Sequence, residues 1–584
     1  MMRIKETARK WLTLATVCFA LLMIVLDGNV VNLAMPQIMK NFGASLSQIE
    51  WVNNAYLLSF AVLLITLGRL GDELGRKKLF SLGLIFFTIG SILCGTASDV
   101  NWLIAYRIIQ GIGGAAMMPA TLSLIAANFE KKERGAAMGI WGAVAGLGIV
   151  LGPIVGGYLT DRGLGASLNS FLHITEFWRY VFYINLPVGL LALVAAFLVI
   201  PESTDRERSH RYDIMGILLS SLSVFLLTYG FIEGTKYGWW RVIEKYSLFG
   251  KEISFGGLSV IPVIFALALA LGVVFVFYEE TQKKDPLVDL KLFKKRNFSV
   301  GVLVTGILSF GMMGSFFLLP LFLQVVMGFT PIKTGQVLMP FAITIMVMAP
   351  IAGRLADKIG GKYLIVVGLS IMALGSYLLA HFRVDTEIRD LILPFVVTGI
   401  GMGLSQAPLT NTTLLETPEE EVGGASGVSS TARQIGSVMG IAILGAFLQT
   451  SLASTINKNI DQIADLPASA KSLIIDNVSS QSFNQDRSKL EEQLAMEMKK
   501  GVPAIEISAN LPAERRAALA QSQAQMAKEM ALKFKQVGER IGEAVKKSFV
   551  QSINDTFKLA SLIALFGAVV ALLLRNKRAE QIKG

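Results

Sequence analysis

Stretches of about twenty mostly apolar residues recur along this chain, and we read fourteen of them, from 12–35 to 557–574. A helix needs about twenty residues to cross a hydrocarbon core about 30 Å thick. In lipid, backbone N–H and C=O groups must be bonded internally, which leaves helices or closed barrels. Barrels are built from short alternating strands, and none is visible here. An all-α polytopic membrane protein is therefore expected.

The net charge of +11 raises the question of a nucleic-acid partner. The basic clusters, Arg76-Lys77-Lys78, Lys131-Lys132, 206–211, Lys294-Lys295-Arg296 and 575–578, fall in alternate loops rather than on one face. That pattern sets membrane orientation. It predicts a cytoplasmic-membrane protein with both termini cytoplasmic and no nucleic-acid partner. The first apolar run follows basic residues but lacks a small-residue cleavage site, so it is expected to stay as the first helix.

Cys18 and Cys94 lie inside apolar runs and imply no disulfide framework. His173, His210 and His381 have no metal-ligand spacing. There is no G-x-x-x-x-G-K-[ST] run for ATP and no nucleophile–base constellation. No enzyme activity, cofactor or metal is expected.

An internal repeat organises the chain. Gly68-Arg69-Leu70-Gly71-Asp72-Glu73-Leu74-Gly75-Arg76-Lys77 returns as Gly353-Arg354-Leu355-Ala356-Asp357-Lys358-Ile359-Gly360-Gly361-Lys362, and 133–139 returns as 421–427. Both offsets are close to 285 residues. Two six-helix halves separated by two extra helices produce that spacing, and such halves hold a substrate site near the midplane between them. The expected division is 1–205, an insert at 206–285, and a second half at 286–453 plus 557–584. Residues 454–556 form a polar interruption, read as an extracytoplasmic helical hairpin. Its stripe Met526, Met530, Phe534, Val537, Ile541, Val545 and Phe549 has helical spacing. The stripe either buries itself against a neighbour or acts as a lid or lipid contact.

Charges within the spans stand out because each costs at least about 2.5–3.5 kcal/mol there unless it is paired, neutralised or facing a cavity. Asp27 lies deep in the first span and Arg107 in the fourth. Asp27 is a candidate proton acceptor, or alternatively a packing group bonded to Asn29 or Asn32. Asp72, in a Gly-framed turn after the second span, can accept from the N–H groups of a neighbouring helix N-terminus and pair with Arg76. It is then a conformational latch, or else an ordinary loop anchor. Asp357 repeats it, with Gly361 where an Arg is expected.

Four stretches carry a family resemblance: 26–36, 68–78, Leu103-Ile104-Ala105-Tyr106-Arg107-Ile108-Ile109-Gln110-Gly111, and Gly148-Ile149-Val150-Leu151-Gly152-Pro153-Ile154-Val155-Gly156-Gly157. In that order and spacing the chain resembles the major facilitator superfamily, in its fourteen-helix drug:proton antiporter branch. The resemblance covers everything except 454–556. It implies a major facilitator fold and proton-coupled export of amphipathic, often cationic, drugs or dyes by a monomer among membrane lipids. Export of a lipid, fatty acid or native metabolite is the alternative.

The resemblance further implies Asp27, Arg107 and Glu233 for proton coupling, with Gly68, Asp72, Arg76 and Asp357 as the latch. Gly148, Gly152, Pro153, Gly156 and Gly157 form the antiporter motif. Asp27, Asn29, Asn32, Tyr56, Phe310, Phe316, Phe317, Gln324 and Met339 are candidate substrate-binding residues. Ser429, Ser430 and Arg433 depart from broad-range quaternary-ammonium exporters, some of which place acids in that helix.

Overall fold

The computed structural model describes residues 6–44, 46–160, 176–202, 213–248, 251–253, 255–281, 286–418, 421–461 and 513–577. Apolar composition and well-placed caps delimit a series of long helices. These are α1 (Glu6–Phe42), α2 (Leu46–Leu74), α3 (Arg76–Thr96), α4 (Val100–Asn128) and α5 (Lys131–Thr160). A 3-10 turn, Phe177–Arg179, and a short helix, Tyr180–Tyr183, lead into α6 (Asn185–Val199). Next come α7 (Ile214–Tyr237), α8 (Val260–Thr281), α9 (Arg296–Leu321), α10 (Met339–Ile359) and α11 (Lys362–Leu379). The series closes with α12 (Ile388–Leu414), α13 (Val422–Asp461) and α14 (Ala513–Ala571).

Sequence punctuation explains several boundaries. Gly75 takes φ 105°, which favours glycine, and separates α2 from α3. The Asp99 carboxylate accepts from the Asn101 and Trp102 N–H groups at 2.8 and 3.1 Å and so starts α4. Glu387 and Asp390 form a reciprocal capping box at the start of α12.

Among the described residues, thirteen helices are long and apolar enough to cross a membrane. The Gly-rich α5, 30 residues long, packs between α1 and α10 as a fourteenth. One half joins α1 through α6, with α4 at its centre against α1, α2 and α3. The other joins α9 through α14. The halves meet where α2 packs on α13 and α5 on α10, contacts that the internal repeat exchanges. The insert α7–α8 packs as a pair, with α7 leaning on both α2 and α13. Only 11% of the most apolar stretch of α8 is buried, against 83% for α4. The α7–α8 pair therefore lies at the edge of the helix bundle and α4 in its interior.

The fold is nearly all-helical, as expected; between α7 and α8 a short pair, β1 (Tyr246–Leu248) and β2 (Lys251–Ile253), runs antiparallel, because this polar loop satisfies its backbone locally. Two expectations about the spans are corrected. The expected span at 334–353 is broken into a short helix, Pro331–Val337, and α10, with Pro340 in the first turn where its missing N–H costs least. The last span is not a separate segment beginning at 557. It is the end of the continuous 59-residue α14, while α13 continues to Asp461. In the stripe, Val537, Ile541 and Val545 are buried, and Asn459 donates to the Ser548 hydroxyl at 2.8 Å, tying α13 to α14. Residues 462–512 and the side chains of Met526, Met530 and Phe534 lie outside the described residues.

Candidate functional site

The two intramembrane charges found separately in the sequence meet. Arg107 Nη1 donates to Asp27 Oδ2 at 2.5 Å, and both side chains are fully enclosed. Gln110, one helical turn along α4, donates to Asp27 Oδ1 at 2.7 Å and accepts from Arg107 Nη1 at 2.7 Å. Asn185 on α6 donates to the same Asp27 oxygen at 3.1 Å and to Ser91 Oγ at 3.0 Å. Arg107 Nε donates to the Val52 carbonyl of α2, and the guanidinium lies 4.1 Å from the Tyr56 ring centroid. One carboxylate thus ties α1 directly to α4 and α6 and, through Arg107, to α2. A buried pair of this kind is costly to break by removing one partner, at about 3–5 kcal/mol.

Asp27 does not pair with its sequence neighbours. Asn29 donates to the Val25 carbonyl, and Asn32 to the Gly28 carbonyl while accepting from Asn53. Sequence reasoning assigned no role to Gln110, although it lies within the quoted helix-four stretch. Asn185 was missed, its only signal being an amide within an apolar run.

At one end of the bundle the repeated motifs pair across the halves. Asp72 accepts from the Gly423 and Gly424 N–H groups at the start of α13, at 3.0 and 2.9 Å, and from Arg76 Nη2 at 3.3 Å. Asp357 accepts from the Gly135 N–H near the start of α5 at 3.2 Å. Where the first copy uses Arg76, the second uses Asn411, whose Nδ2 donates to Asp357 at 3.2 Å. A side chain at Gly361 meets Thr412 and the Pro408 carbonyl, so the missing Arg reflects close packing of this turn on α12. Gly68 permits the approach on the first side, because a methyl there would sit 2.6 Å from the Gly423 carbonyl oxygen.

The glycines from Gly148 to Gly157 serve two faces of α5. Methyls at Gly148 and Gly152 would press on Val25 and Asn29 of α1, at 2.9 and 2.5 Å, and one at Gly157 on Ile332 of the opposite half, at 2.7 Å. Gly156 lies beside them, and α5 runs through Pro153 without a break to Thr160. The Pro153 side chain lies outside the described residues.

The remaining candidates do not form one pocket. Glu233 is buried near the end of α7, with Glu50, Lys236 and Glu244 as its charged neighbours, apart from the Asp27 cluster. Phe316 stacks edge-on against Phe341 within the second half. The Phe310 backbone is where α9 closes on Gly440 of α13. Phe317 and Met339 are exposed, and Gln324 lies in a π-helical turn, Phe322–Val326. Tyr56 alone of the aromatic candidates touches the charged cluster.

One cation stands apart. Arg433, in α13, lies 5.1 Å from the Trp141 ring centroid of α5, and its Nε and Nη2 are buried with no hydrogen-bond partner among the described residues.

Comparisons with known proteins agree with this architecture. The family model described as Major Facilitator Superfamily matches residues 17–441. The chain is 33% identical over 460 residues to the multidrug resistance protein Stp of Mycobacterium tuberculosis (strain CDC 1551 / Oshkosh), covering 78% of this chain and 79% of Stp. It is 28% identical over 573 residues to the tetracenomycin C resistance and export protein of Streptomyces glaucescens, covering 98% and 93%. A bacterial homologue of the human lysosomal transporter Spinster, solved inward-facing and unoccupied, shares the fold with TM-score 0.53 at 16% identity, covering 97% and 99%.

Proposed function

The chain belongs to the major facilitator superfamily and is a multi-pass membrane transporter, and on that premise we propose that it exports amphipathic small molecules of the drug or antibiotic type in exchange for protons. The observation that carries the coupling is the enclosed Asp27–Arg107 pair with its Gln110 and Asn185 donors. A proton arriving at an Asp27 oxygen removes the charge that holds Arg107. Gln110 and Asn185 are then left donating to a neutral group, and the junction of α1, α2, α4 and α6 loosens. Charge-assisted bonds are roughly twice as strong as neutral ones, so protonation is a large local change.

The rest of the chain converts that change into alternating access. Asp72 and Asp357 hold one end of the bundle shut through bonds that cross between the halves. The glycine faces of α5 let α1 and the opposite half slide on it with little steric resistance. In this reading the protein works as a monomer in the cytoplasmic membrane, with both termini and the latched end cytoplasmic and the far end of α14 outside. The names of the relatives, a multidrug resistance protein and an antibiotic export protein, support the substrate type.

The test is transport of a fluorescent dye such as ethidium into inside-out vesicles with an imposed pH gradient. Uptake should follow the gradient and collapse with a protonophore. Uptake indifferent to the protonophore overturns the coupling.

A further inference from the structure

We propose that Arg433 anchors an organic anion, so that the preferred cargo is an aromatic molecule bearing a carboxylate, phenolate or sulfonate; this deepens the export reading above and rests on it. A guanidinium stays charged in proteins and is expensive to hold within a membrane unless it has an acceptor. Arg107 has Asp27, Gln110 and the Val52 carbonyl. No carboxylate and no carbonyl meets Arg433 Nε or Nη2 among the described residues. With Asp27 and Arg107 cancelling each other, Arg433 leaves this region one positive charge in excess.

Its position suits a substrate. Arg433 is eleven residues beyond Val422, which starts α13. At 1.5 Å per residue that is about 16 Å along the helix, near the middle of a core about 30 Å thick. Its partner ring, Trp141, belongs to α5 of the other half, so the pair bridges the boundary where a transported molecule must pass. Trp141 Nε1 donates to Thr121 Oγ1 at 3.1 Å, which fixes the indole plane beneath the guanidinium.

Further unsatisfied polar groups share this neighbourhood. Ser429, one turn from Arg433 on the same face, and the adjacent Ser430 have buried hydroxyls with no partner among the described residues. Several hydroxyls in these helices, such as Thr305, Ser315, Thr398 and Ser405, donate to carbonyls four residues back, whereas in α13 Ser426 and Thr431 are left unpaired along with Ser429 and Ser430. The side chain of Gln406 faces Gly142, next to Trp141, and its buried Oε1 is an unpaired acceptor that suits an O–H or N–H on the same ligand rather than the anion itself. A cation flanked by free hydroxyl donors over an aromatic plane recognises an anion on a flat ring system. A quaternary ammonium would be repelled by the Arg433 charge, and Asp27, the acid that could offset this, is already occupied by Arg107.

Two dyes sharing a xanthene core but opposite in charge, fluorescein and rhodamine 123, make the test on the purified full-length protein. By fluorescence anisotropy, fluorescein should bind at least tenfold more tightly than rhodamine 123. Arg433→Gln should abolish that preference and Arg433→Lys should keep part of it, both eluting as the parent does. Fluorescein binding no tighter than rhodamine 123, or a preference that survives Arg433→Gln, overturns the proposal. The two readings fail separately. Ethidium export that obeys the pH gradient while fluorescein shows no preference refutes the anchor alone. An Arg433-dependent preference without gradient-driven export of fluorescein supports the anchor and refutes the coupling.

Discussion

Replacing Asp72 with Asn tests the latch at the point where its chemistry is simplest. The carboxylate accepts two backbone N–H bonds of 3.0 and 2.9 Å, from Gly423 and Gly424, on separate oxygens. An amide of the same shape keeps one acceptor and turns an NH2 donor toward the other N–H, so one bond becomes a repulsive donor–donor contact. A hydrogen bond to a charged group contributes about 1.5–3 kcal/mol. At about 1.4 kcal/mol per factor of ten, the ratio of latched to unlatched protein should fall about 10- to 150-fold. Spin labels on cysteines at Lys132 and Lys358 report the opening, because these positions lie at the latched ends of α5 and α10 in opposite halves. Native Cys18 and Cys94 are buried and do not compete for label. The Asn variant should show a longer inter-label distance in a much larger fraction of molecules, and slower turnover. An unchanged distance distribution together with normal transport refutes the latch.

Asp27→Asn should abolish gradient-driven dye export while the purified protein still elutes as a folded species; export at parental rates denies Asp27 a coupling role. Arg107→Gln leaves the Asp27 charge enclosed without its cation and should cost about 3–5 kcal/mol, read as a lower thermal midpoint in detergent, and an unchanged midpoint would contradict the enclosed pair. Gly139→Val places a branched side chain where a first carbon already comes 2.5 Å from the Ala349 carbonyl oxygen. It should separate α5 from α10 and slow transport sharply, whereas parental turnover argues against close sliding contact. A cysteine at exposed Gln521 should react with an impermeant thiol reagent on cells without an outer barrier, and labelling only after permeabilisation reverses the proposed orientation.

How much of this was legible in the sequence follows from the physics of each feature. The spans are local, so apolar length and a few Gly, Pro and Asp punctuators located them. The repeat went further: the two copies at 68–77 and 353–362, with those at 133–139 and 421–427, are the segments that pair across the halves, because duplicated halves place duplicated contacts. Asp27 and Arg107 were each conspicuous as charges in apolar runs, but no periodicity states which face of α1 meets which face of α4. The same gap hid Asn185, and Asn411 in the role of the missing Arg. The scattered aromatic candidates show the limit most plainly. Helices in lipid are apolar on the outside as well as the inside, so Phe316 and Phe317, adjacent in sequence, end half-buried and exposed. In water the exposed one would have been polar and the faces readable.

The continuous α14 has a mechanical consequence. Its 59 residues extend about 88 Å at 1.5 Å per residue, nearly three times the thickness of a hydrocarbon core. The helix is joined to α13 by the Asn459–Ser548 bond and to α11 by the Ser561 hydroxyl, which donates to the Ala373 carbonyl at 2.7 Å. If the halves rock as proposed, it would move as a lever fixed to one of them. A tilt of about 5° about the membrane centre sweeps a tip about 75 Å away through about 6–7 Å, more than a helical turn. A rocking motion hardly visible among the packed spans becomes a large displacement at Ala513, where a label or a neighbouring molecule can register each transport cycle.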